Sequence, residues 1–115
     1  MEMGRLQGLV GGAVVAVALS GLAFAQDAKI DRGKAVYAEQ KCKLCHSIAG
    51  AGNAKGSLDG VGSKLKAEEI RQWVVDPKAM AEKSKAERKP PMKAFASLPA
   101  EDLDALLAYL SSLKK

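Results

Sequence analysis

Both cysteines and the single histidine of this 115-residue chain fall within five positions, Cys42-Lys43-Leu44-Cys45-His46. Few chemistries want two thiols and an imidazole at that spacing. CxxCH is the attachment signature of a c-type haem. Each thiol adds across one of two vinyl groups on neighbouring pyrroles, so the sulfurs must reach two points along one edge of the macrocycle, and the Cys42–Cys45 separation allows that. His46, next to the second thioether, is then carried under the ring, where its imidazole can bind the iron axially. Competing chemistries fit less well. A structural zinc site uses four Cys or His ligands, and the chain has three in total. A thioredoxin-like CxxC opens a helix in a βαβ framework, whereas strand-like alternation is nearly absent here. A Cys42–Cys45 disulfide is chemically possible in an exported protein but leaves His46 without a role.

If His46 supplies one axial ligand, a six-coordinate iron must take methionine or, less often, lysine as the other. Beyond the apolar N-terminal segment only Met80 and Met92 are available. Met80 is expected within a helix, where a methionine more often fills a gap. Met92 follows Pro90-Pro91, which hold the backbone extended and stiff and so pin a thioether at little entropic cost. Met92 is the expected ligand, with Met80 as the alternative.

The elements that must position these groups are helical. Asp31 to Lys41 reads as a first helix, capped by Asp31, with Ile30, Gly33, Val36 and Tyr37 on one side. Gly33 is costly inside a helix and marks a place where another element comes close. Ser47 to Gly62 carries five glycines and reads as a loop folded over the His46 side of a ring. A phosphate-cradling role fails there, because no strand precedes the loop and no Gly-Lys-Ser/Thr closes it. Ala67 to Val75 reads as a second helix with Ile70, Trp73 and Val74 in an apolar stripe. Asp76-Pro77 ends it and opens a third, over Lys78 to Glu87. Trp73 has two readings, a core residue or an indole whose N–H bonds a haem propionate. The last helix has Pro99 in its first turn, Glu101, Asp102 and Asp104 at its positive end, and Lys114 and Lys115 at its negative end. Its face of Leu103, Leu106, Leu107, Leu110 and Leu113 should pack against the first helix where Gly33 permits a close crossing.

No residue from Leu6 to Ala25 is charged, and Ala23-Phe24-Ala25 puts small residues where an export peptidase reads them. Residues 1–25 are thus expected to be a cleaved signal peptide. The rival is a retained membrane anchor, since 20 uncharged residues suffice to span a bilayer. Cleavage leaves 26–115 as one small domain, marginal without a staple, and the haem would be that staple. Removal takes away Arg5 and Glu2 alone, so 17 Lys and Arg face 12 Asp and Glu and the formal charge stays at +5. These charges are interleaved and have no aromatic stacking platform, which argues against nucleic acid as a partner.

The mature chain resembles a small class I cytochrome c of bacterial type over its whole length. Gly33 and Tyr37 match the family's glycine and aromatic on the N-terminal helix, and Leu106, Tyr109 and Leu110 their partners on the C-terminal helix. Cys42, Cys45 and His46 match the attachment site, and Met92 the distal ligand. Four-helix cytochromes c-prime differ, with CxxCH near the C-terminus. Many family members have a loop proline whose carbonyl accepts the His ring N–H, and here the chain offers Ser57. The resemblance implies an all-α fold, with N- and C-terminal helices crossing and one covalent haem c wrapped by loops and short helices.

The function this implies is one-electron transfer in the periplasm with no substrate turned over. Lys41, Lys43, Lys55, Lys89 and Lys93 neighbour the attachment and ligand loops. They read either as a basic rim that steers an acidic redox partner or as scattered solubilising charges. No membrane is implied unless the N-terminal segment is retained. A haem sensor or gas-binding module would need an open sixth position. A small peroxidase would also need a distal acid-base residue, and the chain has no distal histidine. An electron-entry subunit of an oxidase or reductase complex is the remaining alternative.

Overall fold

The computed structural model describes the backbone from Met3 and the side chains from Gly21 onward. Of the expected signal peptide over 1–25, residues 1–2 and the side chains before Gly21 lie outside the described residues. The elements run α1 (Met3–Glu39), β1 (Ser47–Ile48), β2 (Ala51–Gly52), α2 (Val61–Lys64), α3 (Ala67–Val75), α4 (Pro77–Ser84) and α5 (Ala100–Ser111), with short 3-10 turns at Cys42–Leu44 and Ala54–Gly56. Among the described residues no helix is long and apolar enough to cross a membrane.

The fold is all-α, and its frame is the crossing of α1 and α5. A Cβ on Gly33 would run into the Ala105 carbonyl and stand 2.6 Å from Tyr109 Cβ. The missing side chain is therefore what lets the two backbones meet. One turn further along α1, Val36 is 1% exposed and packs with Leu103, Leu106 and Leu110 of α5 and Ile70 and Val74 of α3. Full burial of such side chains is worth roughly 1.5–3 kcal/mol each, and among the described residues these three helices form the core. Tyr37 and Tyr109 meet edge to face, with ring centroids 5.9 Å apart. On the outer side Arg32 grips the Asp102 carboxylate through Nε at 3.0 Å and Nη2 at 3.1 Å.

Three expected boundaries move. The first helix does not start at Asp31, because nothing between Leu22 and Arg32 is a Gly or Pro able to stop it. Asp31 lies inside α1 and pairs with Lys34 at 3.8 Å rather than capping. α1 ends where Lys41 turns left-handed, at φ 58°. Likewise α4 stops at Ser84, short of Glu87, because Lys85 goes left-handed and Ala86 N–H bonds the Ala81 carbonyl, 2.9 Å. The glycine-rich stretch also contains a two-strand hairpin, Ser47 opposite Gly52, and the short α2 that a loop reading omits. By contrast α3 keeps its expected bounds, and Asp76 Oδ1 caps α4 through Ala79 N–H at 3.3 Å.

The C-terminal lysines do not sit on the dipole of α5. Lys114 Nζ donates to the Gly62 carbonyl at 2.7 Å, and Lys115 N–H donates to Ser63 Oγ at 2.9 Å. The tail thus closes over α2, where a Cβ at Gly62 would meet the Ser111 carbonyl.

Gly33→Ala tests the crossing. Its Cβ meets a backbone carbonyl that no rotamer can move aside, so unfolding in urea should show a loss of roughly 1–3 kcal/mol, through a lower midpoint with an unchanged slope.

Candidate haem-binding site

The attachment motif is held by its own backbone and by one asparagine. After the left-handed Lys41, the 3-10 turn brings Cys45 N–H to the Cys42 carbonyl at 3.1 Å and His46 N–H to the same oxygen at 2.9 Å. Asn53 then clamps the turn from just past the far strand of the hairpin. Its backbone N–H bonds the carbonyls of Lys43 (3.1 Å) and His46 (2.9 Å), and its side-chain Nδ2 donates to the Leu44 carbonyl at 3.2 Å. Gly52 makes the approach possible: its φ is 112°, and a Cβ there would strike the His46 carbonyl.

His46 Nδ1 donates to the Gly56 carbonyl at 3.0 Å, which fixes the tautomer and leaves Nε2 for a ligand. The expected acceptor, Ser57, is one residue too far. Ser57 is bridged to Ser47, and Leu58 N–H bonds the Ser47 carbonyl at 2.8 Å. Gly56 closes the 3-10 turn, whereas Ser57 already belongs to the pairing with Ser47. Burial holds the His46 pKa below the usual imidazole range, with the nearby Arg88 cation adding to the effect and the Gly56 bond opposing it. A neutral imidazole is the form that binds a metal. Burial also pushes the Cys42 thiol up, and the neighbouring Cys45 adds to that.

Cys42, His46 and Met92 border one apolar cavity of about 220 Å³. Its walls are Tyr37 of α1, Leu58, Val61 and Leu65 around α2, Ile70, Trp73 and Val74 of α3, and Leu106 and Leu110 of α5. The chain reaches Met92 along the irregular segment after α4, which is fastened to α3 by Phe95 N–H on the Val74 carbonyl, 2.9 Å. Met80 sits in α4 and does not border this cavity. Trp73 stands in the wall shared with a second hollow of about 640 Å³, which Lys78, Lys85, Arg88 and Met92 also line. Lys41, Lys43, Lys55, Lys89 and Lys93 are all exposed, with Lys93 Nζ 5.9 Å from the Phe95 ring centre.

The cavity fits a flat apolar ring with reactive vinyls on one edge. Its lining is apolar, a thiol stands at its border, and an imidazole and a thioether reach it from different segments. One polar atom breaks that pattern. The Tyr37 hydroxyl is buried without a hydrogen-bond partner, so a group filling the cavity must offer it a polar atom or leave it unpaired.

A family model described as Cytochrome c matches residues 30–114. The chain belongs to the cytochrome c family. It is a class I monohaem cytochrome c and carries a covalently bound haem c, an iron group of electron transport. The cytochrome is also similar to cytochrome c oxidase subunit 2 of Alkalihalophilus pseudofirmus, 29% identical over 93 residues. That match covers 73% of this chain and 25% of the oxidase subunit, so the cytochrome spans about a quarter of that relative's length. No solved structure matches the chain.

Sequence reasoning missed Asn53, Gly56, Arg88 and the Leu58, Val61, Leu65 wall. Only the last had a readable signal, an apolar spacing of three and four within the glycine-rich stretch.

Burial pushes the Tyr37 phenol from 10 up to about 12. The folded chain holds this proton where the unfolded chain has lost it. The associated stability is complete below about pH 10 and lost as pH rises towards 12. Following phenolate absorbance with pH should show a late-titrating tyrosine that Tyr37→Phe removes; a Tyr37 step near pH 10 would contradict this environment.

Proposed function

We propose that the cytochrome is a one-electron carrier in which Cys42 and Cys45 hold the haem as thioethers and His46 and Met92 bind its iron. Bound there, the group supplies a centre that takes up and releases one electron at a time. The single observation that carries the reading is the convergence of Cys42, His46 and Met92 on one apolar cavity. The protein's part is to orient ligands and to exclude water. The Gly56 carbonyl sets the His46 ring. The Phe95–Val74 bond helps fix the Met92 segment on α3, and the thioether is a soft ligand that favours the reduced state. The aliphatic walls disfavour the extra positive charge of the oxidised form.

Export of residues 26–115 after removal of 1–25 fits this role. Cytochrome c domains usually work outside the cytoplasm, and the uncharged run ending in Ala23-Phe24-Ala25 supports a periplasmic location here. A second reading, an electron-entry module of an oxidase complex, is favoured by the similarity to an oxidase subunit 2. Retention of the N-terminal segment, with the protein sedimenting in the membrane fraction, would select it.

Optical spectra of the exported protein, beside those of Met92→Ala, test the ligation. Wild type should give sharp low-spin c-type bands when reduced and a far-red sulfur-to-iron band when oxidised, and the variant should lose the latter. A high-spin wild type that binds carbon monoxide readily would point to sensing or peroxide chemistry instead. Taken as a basic rim for an acidic partner, the five exposed lysines should make the second-order electron-transfer rate fall as ionic strength rises. A rate with such a partner that does not fall with salt would remove the steering role.

A further inference from the structure

Arg88 belongs to the segment that presents Met92, yet its side chain reaches the opposite ligand. A Cβ built on Gly56 would collide with the Arg88 guanidinium and the Cys45 carbonyl, and would stand 3.0 Å from His46 Nδ1. Guanidinium and imidazole therefore share the space over one glycine, the same glycine whose carbonyl accepts the His46 ring N–H. Gly56 has a negative φ, so no turn conformation demands a glycine there. The demand is for room. No ion pair among the described residues involves Arg88, so no carboxylate cancels its charge at close range. That uncancelled cation opposes a positive charge added at a metal bound to the His46 ring, moderated by solvent because Arg88 is exposed.

We infer that Arg88 is a positioning residue for the one-electron chemistry. Carried on the Met92 segment, it rests on the Gly56 backbone beside His46, ties the two ligand segments together, and opposes the added charge of the oxidised form. The inference rests on the His46/Met92 ligation proposed above and deepens it: one side chain links the seating of the distal segment to the charge felt on the proximal side. Lysine could supply the charge from this position, whereas glutamine could supply only bulk and hydrogen bonds.

The test compares wild type, Arg88→Gln and Arg88→Lys as haem-loaded protein, by redox titration against a mediator at low and high salt, with the oxidised far-red band recorded for each. Expected is a fall of about three- to tenfold in the reduced-to-oxidised ratio of Arg88→Gln at fixed ambient potential in low salt. The fall should shrink in high salt, and Arg88→Lys should stay within about twofold of wild type. If Arg88→Gln also loses the far-red band, restoration of band and ratio by lysine upholds the inference, and failure to restore them overturns it. A ratio unchanged in Arg88→Gln, or an equal shift in both variants, overturns it as well. Absence of the band from wild type would instead bring down the ligation reading beneath it.

Discussion

Everything in this molecule hangs on how closely α1 and α5 approach. At Gly33 the α1 backbone sits against the Ala105 carbonyl and Tyr109 Cβ, a contact that a larger residue would hold apart. That contact brings Val36 onto the leucine face of α5 and sets Tyr37 against Tyr109. It also sets how α1 lies against α5, and so the path by which the chain enters the Cys42 turn. A small domain has little apolar surface with which to recover the entropy of ordering its chain. Its α1, α3 and α5 share one six-residue buried cluster, and Tyr37, Leu58, Val61, Leu65, Trp73 and Met92 border the apolar cavity beside it.

The attachment loop is built on a different principle. It has almost no core of its own, and backbone hydrogen bonds do the positioning. Asn53 ties down three carbonyls of the motif, Gly52 and Gly56 remove side chains where backbone or guanidinium must pass, and Asp59 Oδ1 accepts Ala49 N–H at 2.7 Å to hold the hairpin turn. A loop organised this way is stiff where it must present His46 and exposed where Lys43 and Leu44 face solvent; Leu44 is 65% exposed. The distal segment between α4 and α5 is simpler. It is stiffened by Pro90-Pro91 and attached to α3 through Phe95, so the orientation of Met92 depends on α3 being seated on α5. Both ligands of the proposed iron site thus trace back to the same helix crossing.

The sequence by itself determined the chemistry and the frame. Two cysteines and the single histidine in CxxCH, a methionine behind two prolines, and a leucine face at helical spacing are local patterns, and local patterns are what residue types and intervals record. α3 was legible to the residue because Glu68, Glu69, the apolar stripe and Asp76-Pro77 mark both its ends. Tertiary structure decided whatever depends on which distant atoms share a space. The His46 ring takes the Gly56 carbonyl, while Ser57 pairs with Ser47. The early stop of α4 follows from Lys85 turning left-handed. The placement of Arg88 over Gly56 and of Lys114 on Gly62 joins residues 32 and 52 positions apart. No periodicity encodes such pairs, because a side chain's reach is set by the packing of the elements that carry it.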